Sequence, residues 1–320
     1  MSLITVVIPV YNEEDNIRIL YDRLKAVLTK LTGNRHDMIF VNDGSTDSSL
    51  NIIQSLAASD SCVKYIDLSK NFGHQNAVFA GMDHAEGEAV VIIDSDLQDP
   101  PETIEKLYNK FQEGYDVVYA QRSSRSGENW HKLLTAKYFY RIINRLSEVQ
   151  IPLDTGDFRI ISQRVCWVVC AMPERNKFLR GQIAWTGFNQ TYIEYDRSAR
   201  NSGDTKYSYR KMLRFAMDGI TSFTNIPLKA ATWLGFFTAG IAVIMFLRTI
   251  YVRLVTGDFV KGWPSLMVTI LFLGGVQLIC IGILGEYLGR ILDNVRGRPN
   301  YIIRDTNLPG KPPTTSSTPH

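Results

Sequence analysis

Two stretches without a charged residue constrain this chain more than anything else in it: Ala230 to Leu247 and Pro264 to Gly285. A hydrocarbon core about 30 Å thick takes about 20 apolar residues at a rise of about 1.5 Å each. Both stretches reach that length once flanks such as Thr249 to Val252 are added. Neither shows the polar stripe of a helix lying on a soluble surface. The expectation is a pair of transmembrane helices, about residues 229–252 and 263–286, rather than two buried core helices. Elsewhere the composition is that of a globular protein. With 45% hydrophobic and 21% charged residues, a disordered or fibrous chain is excluded. A net charge of +3 is too small to suggest a nucleic-acid partner. Cys62, Cys166, Cys170 and Cys280 are scattered and form no CxxC pair, and Cys166 and Cys170 read as small buried core residues on one helix face.

No cleavable leader is expected at the start, because Leu3 to Val10 is short and runs into Asn12-Glu13-Glu14. Lys206, Arg210, Lys211, Arg214 and Lys229 precede the first span, and Arg290, Arg296 and Arg298 follow the second. The positive-inside rule then puts residues 1–228 and the tail in the cytoplasm, in a multi-pass protein of the cell inner membrane or its equivalent. Residues 207–228 read as an amphipathic interfacial helix, with Met212, Leu213, Ala216, Ile220 and Phe223 at helical spacing. A helix packed on the soluble part is the competing reading. Residues 291–320 form a cytoplasmic tail, expected to be partly disordered from Pro309 onward.

Residues 1–206 alternate strands with helices. Leu3 to Pro9, Met38 to Val41, Val63 to Leu68 and Ala89 to Ile93 read as buried strands. Helical patterns separate them at Glu13 to Leu31, Asn76 to His84 and Glu102 to Gln112. Such alternation predicts an α/β fold with a mostly parallel, Rossmann-like sheet and flanking helices. Ligands in these sheets bind at the carboxyl ends of strands. Those ends hold Pro9-Val-Tyr11-Asn12-Glu13, Asn42-Asp43-Gly44-Ser45 and Asp94-Ser95-Asp96. Neither GxGxxG nor GxxxxGK[ST] occurs, so dinucleotide and P-loop sites are unsupported. Two carboxylates in Asp-x-Asp at a strand end offer hard oxygen donors suited to Mg²⁺ or Mn²⁺, usually completed by phosphates and water.

Pro9-Val-Tyr-Asn-Glu-Glu14, Asn42-Asp-Gly-Ser-Thr-Asp47 and Asp94-Ser-Asp-Leu-Gln-Asp-Pro-Pro-Glu102 together resemble the signature of family 2 glycosyltransferases of the GT-A fold. The last of these, with Arg200-x-x-Gly203-x-Thr205-Lys206-Tyr207, is similar to the polyprenyl- and dolichyl-phosphate sugar synthases. The two spans resemble the bacterial branch that makes lipid-linked glucose. The resemblance covers about residues 3 to 210. It implies that Pro9, Tyr11, Asn12, Glu13 and Asp43 hold the nucleobase and ribose, that Asp94 and Ser95 meet the nucleotide, and that Asp96, Gln98 and Asp94 take the metal. Arg122 would lie on the sugar side, although Ala120-Gln121 stand where the family often has a glycine. Asp157 resembles the position proposed as general base. A phosphate monoester with a second pKa near about 6 is already largely anionic at neutral pH, so Asp157 has an alternative role in orienting the acceptor.

Charge alone points the same way. A diphosphate leaving group and a phosphate acceptor demand cations, which Arg122, Arg125, His131, Lys132, Arg197, Arg200 and Lys206 supply. Lys132, Arg200 and Lys206 are the candidates for the acceptor phosphate. The expected function is transfer of a hexose to polyprenyl phosphate at the cytoplasmic face; the resemblance implies that transfer inverts the anomeric centre and that the donor is UDP-glucose. A processive polysaccharide synthase competes, but Gln182-Ile-Ala-Trp185 lacks the arginine of its Gln-x-x-Arg-Trp motif. A non-catalytic scaffold or lipid-translocation partner is the third reading. Gly274, Gly275, Gly282, Gly285 and Gly289 in the second span favour a homo-oligomer, against packing within one protomer.

Overall fold

The computed structural model describes residues 3–122, 155–175, 177–195, 226–255 and 262–308. Lys132, Arg200, Lys206, Arg125, His131, Arg197, the interfacial helix of 207–228 and the tail from Pro309 fall outside these residues, apart from the last residues of 207–228. Two compact units emerge: one contains residues 1–144, 149–206 and 298–320, the other residues 207–297 with the short segment 145–148.

The first unit is built on an eight-stranded sheet of order β7-β5-β6-β4-β1-β2-β3-β8. Its elements are β1 (Ile4–Val10), α1 (Ile17–Thr32), β2 (His36–Asn42), α2 (Ser49–Ser59), β3 (Val63–Leu68), α3 (His74–Met82), β4 (Ala89–Ile92) and α4 (Thr103–Gln112). There follow β5 (Val117–Arg122), β6 (Thr155–Ser162), α5 (Gln163–Cys170), α6 (Leu179–Trp185), β7 (Gln190–Tyr195) and, after the second unit, β8 (Ile303–Thr306). The β4-β1-β2-β3 centre is parallel, as its unbroken β-branched runs require of strands covered on both faces. β6 runs antiparallel between β4 and β5, and β8 runs antiparallel on β3.

Strand periodicity divides the core. Ile4, Val6, Ile8 and Val10 face α1, α2 and α4 through Ile17, Leu20, Leu24, Leu28, Ile53, Ile104 and Leu107. Val7, with Val90, Ile92 and Ile161, faces Val78, Phe79, Val165, Val169 and Ile183 on the other side. Leu24 is fully buried, and Leu24→Ala would cost about 2–5 kcal/mol. The α3 backbone lies so near β1 that a Cβ on Gly81 would come within 2.3 Å of Val7 Cγ1. Helix α3 therefore needs glycine there.

The second unit holds α7 (Ile226–Val255) and α8 (Trp263–Val295). Both are long and apolar enough to cross a membrane, over Leu228–Arg248 and Val268–Val295. Their apolar side chains point outward: Trp233, Phe236, Leu254 and Leu278 are all exposed. The helices touch each other, with Cys280 Sγ 3.7 Å from the Ala231 carbonyl. Added Cβ atoms on Gly274, Gly275, Gly282, Gly285 or Gly289 would meet nothing within 4 Å. Among the described residues, then, nothing packs closely against these glycines.

Element ends in the first unit shift by up to four residues, as where α1 begins at Ile17 and not Glu13, and two differences lie further along the chain. Helix α8 continues to Val295, past residue 286, because charged Arg290 and Asp293 close turns that no longer need to be apolar. The stretch read as tail returns to the first unit as β8 and caps the edge of β3.

Candidate active site

The carboxyl ends of β1 and β2 are joined by a net of short polar side chains. Asn12 Oδ1 accepts the Thr46 amide at 2.8 Å, and the Asn12 amide donates to Ser45 Oγ at 3.1 Å. The Glu13 amide donates to Ser49 Oγ at 3.0 Å. Asn12 holds φ of 55°, a left-handed conformation that asparagine tolerates better than most residues. Tyr11 stands half exposed in this turn, and Pro9 is the last residue but one of the strand that leads into it. The Asp43 carboxylate is buried and accepts the amides of Phe72 at 2.7 Å and Gly73 at 3.0 Å. Burial raises its pKa, and those two amides oppose the rise. Gly44, at φ of 68°, permits the loop to cross: a Cβ there would sit 2.6 Å from the Asn71 amide. Asp43 thus fastens the loop after β3 over the two turns.

At β4 the geometry changes character. Ser95 Oγ donates to the Pro9 carbonyl at 2.9 Å, tying this strand end to the β1 turn. Asp96 Oδ1 accepts the Gln98 amide at 3.1 Å across Leu97, which is buried at φ of 58°. A leucine in that conformation is strained, and such strain gathers where side chains must be aimed. Asp94 Oδ1 is buried without a hydrogen-bond donor. Burial, with Asp157, Asp99 and Asp96 nearby and His74 opposing, pushes its carboxyl up to about 6.

Pairing of Ile92 with Arg159 brings the start of β6 beside the end of β4. Alternation then puts Asp157 and Arg159 on the sheet face of α3 and α6. Asp157 Oδ2 lies 3.2 Å from His74 Nε2 and accepts Gln75 Nε2 at 3.1 Å. Its Oδ1 accepts Arg180 Nε at 2.9 Å and Arg159 Nη2 at 3.3 Å. Burial would raise the Asp157 pKa, but His74, Arg180 and Arg159 outweigh it and hold the carboxyl well below the usual range. Burial also works against the His74 charge, yet Asp157 and Asp94 raise its pKa to about 9. His74 Nε2 is 3.6 Å from Asp94 Oδ1, so one imidazole bridges both carboxylates.

Of the residues expected from sequence, Pro9, Tyr11, Asn12, Glu13, Asp43, Asp94, Ser95, Asp96, Gln98 and Asp157 lie along this edge. Arg122 ends β5, and its side chain is not among those described. His74, Gln75, Arg159 and Arg180 were missed. The one available signal was Asp157-x-Arg159 in an otherwise apolar strand, where a fully buried arginine requires an anion on its own face.

Among the described residues, no three His, Cys, Asp or Glu side chains converge as a ready cation cage. The donor set still fits a hard divalent ion: Asp94 offers an oxygen with no donor on it, and Asp96 follows two residues later.

The glycosyl transferase family 2 profile matches residues 5–170, and a profile described as a GtrB C-terminal hairpin matches residues 226–291. An uncharacterized glycosyltransferase of Bacillus subtilis is 46% identical over 94% of this chain and 93% of its own. A prophage-derived bactoprenol glucosyl transferase of Shigella flexneri is 44% identical over 95% of this chain and 98% of its own. Glucosyl-3-phosphoglycerate synthase from Mycobacterium tuberculosis covers 69% of this chain and 78% of its own at 19% identity and a TM-score of 0.48.

Proposed function

The chain belongs to glycosyl transferase family 2, and we propose that it transfers glucose from UDP-glucose to polyprenyl phosphate, with inversion, at the cytoplasmic membrane face. One observation carries the acceptor assignment: the bactoprenol glucosyl transferase of Shigella flexneri aligns through both the catalytic unit and the hairpin. The pairing of β8 with β3 supports two crossings with both flanks on one side, since residues before α7 and after α8 share a sheet. The basic residues around the spans support the cytoplasm as that side. Glycines of α8 that meet no neighbour among the described residues favour assembly of several copies.

In this reading the turns after β1 and β2 take the uridine, with Pro9, Tyr11, Asn12, Glu13 and Asp43 around it. Asp94, Ser95, Asp96 and Gln98 face the diphosphate, and Asp96, Gln98 and Asp94 would hold Mg²⁺ or Mn²⁺. The ion would offset charge on the departing diphosphate. A phosphate oxygen of the lipid attacks the anomeric carbon as the bond to UDP breaks, and Lys132, Arg200 and Lys206 hold that acceptor. Asp157 stays anionic, because its three cations favour the charged form, and it orients His74 and Arg180 instead of taking a proton. The acceptor needs no base, being already largely ionised with a second pKa near about 6.

Labelled UDP-glucose, Mg²⁺ and polyprenyl phosphate incubated with purified full-length protein test the proposal. A single lipid-linked glucose supports it; polymer would mean a processive synthase, and no product a scaffold. Arg200→Ala or Lys206→Ala should raise the KM for polyprenyl phosphate and leave that for UDP-glucose near the wild-type value.

A further inference from the structure

The edge strand β8 reaches the nucleotide turns through buried polar groups. Arg304 sets Nε 2.7 Å from Asp67 Oδ2 and Nη2 3.1 Å from Asp67 Oδ1, a two-pronged contact. The Asp67 side chain is only 3% exposed. Its Oδ1 also accepts Asn42 Nδ2 at 2.7 Å. Asn42 is buried in turn, and its Oδ1 accepts the Ser45 amide at 3.2 Å. Ser45 Oγ receives the Asn12 amide at 3.1 Å. Asp67 and Asn42 are each held from both sides, so rotating either breaks contacts in both directions.

We propose that Arg304 and Asp67 are positioning residues for the nucleotide, acting through Asn42 and Ser45 on the turn that carries Asn12. The inference rests on the reading of the β1 and β2 turns as the uridine site. Arg304 orients the Asp67 carboxylate, Asp67 fixes the Asn42 amide, and Asn42 sets the Ser45 backbone that meets Asn12. The far end of this series is a specific turn, since Asn12 holds a left-handed φ of 55°. Removing Arg304 leaves a buried carboxylate without its cation, free to turn toward other donors. Simple edge protection does not call for this series. Thr306 Oγ1 on the Tyr65 carbonyl at 2.6 Å, and Asn307 on the Tyr65 amide at 2.7 Å, already fasten β8 to β3.

The coupling has to be reciprocal. If a docked β8 favours nucleotide binding, bound nucleotide favours a docked β8 by the same factor.

The test uses full-length protein in lipid nanodiscs, with UDP and Mg²⁺ as the binding probe. Arg304→Ala should raise the Kd for UDP and the KM for UDP-glucose about fivefold or more, with kcat and the KM for polyprenyl phosphate unchanged. Arg304→Lys, which keeps charge but not the two-pronged geometry, should recover part of the loss. Should Arg304→Ala fail to fold, Asp67→Asn carries the same comparison. In the wild type, UDP should slow hydrogen exchange at Ile303 to Thr306, and Asn42→Ala should abolish that slowing. An unchanged UDP affinity in folded Arg304→Ala, or equal losses for both substrates, would overturn the assignment. A wild-type protein that binds no UDP would remove the parent reading as well, and so marks a different failure.

Discussion

Two carboxylate clusters in the catalytic unit are built from similar parts and solved in opposite ways. Asp60, at the end of α2, takes the Cys62 amide on Oδ1 at 2.9 Å, and Tyr21 Oη at 2.8 Å and Lys25 Nζ at 2.9 Å on Oδ2. One anion meets one nearby cation, with both oxygens engaged. At the carboxyl edge, Asp94 and Asp157 share His74, while Asp94 Oδ1 and Arg159 Nη1 are buried without hydrogen-bond partners. Unmet buried polar atoms cost about 1–3 kcal/mol each, so folding alone would not select them. The Asp60 corner is finished; the Asp94 edge is open.

The largest effect that would separate the two clusters is on transfer. Asp96→Ala should lower it by at least about a thousandfold without changing circular dichroism, because the side chain lies outside the packed core. Asp94→Asn should also fail in transfer, yet melt at or above the wild-type temperature. Burial, helped by the surrounding carboxylates, already pushes the Asp94 carboxyl up to about 6, and an amide spares the fold that charge. An Asp94→Asn protein that melts lower but turns over normally would reverse the comparison.

Asp157 stands between function and fold. Asp157→Asn strips the anion from the fully buried Arg159 and should destabilise the unit by about 3 kcal/mol, while transfer also falls. Pairing it with Arg159→Met sharpens the point. Replacing both members of a buried pair by uncharged groups restores much of the lost stability. The double variant should therefore regain its melting temperature and stay poorly active. Recovery of both properties would make the pair purely structural.

How far sequence could anticipate these clusters depended on the distance between their members along the chain. β1, β3 and β4 were legible to within about a residue, since uninterrupted β-branched runs fit strands covered on both faces. Asp94, Asp96 and Asp157 were legible because each sits beside a strand end or within a polar knot. His74 and Arg180 were not, because they meet Asp157 only once α3 and α6 pack on β6. Asp43 was read as a nucleotide ligand, and its two amide contacts with the loop after β3 could not be seen from its own turn. β8 was invisible for another reason. Its four residues, Ile-Arg-Asp-Thr, follow a Gly-Arg-Pro-Asn segment and gain strand character only from the edge of β3.

The smallest effect concerns acid. Burial raises the Asp60 carboxyl, but the Cys62 amide, Lys25 and Tyr21 outweigh it and lower it to about 2, against about 3.9 for a free aspartate. A carboxylate with a depressed folded pKa gives stability that is present above about pH 4 and lost as pH falls through about 2. The contribution is about 2 kcal/mol at neutral pH, since the Asp60 side chain is 11% exposed. Lys25→Met should remove only part of it, because the lysine side chain is half exposed and solvent screens the pair. Asp60→Asn should flatten the difference in melting temperature between pH 4 and pH 2 relative to wild type. Asp157 titrates in acid too, but it is common to both proteins and cancels in the subtraction. At pH 7 the variant should melt a few degrees lower and transfer at the wild-type rate. A loss of transfer as large as that of Asp94→Asn would show that the finished corner and the open edge are one electrostatic unit, and the contrast between them would fall.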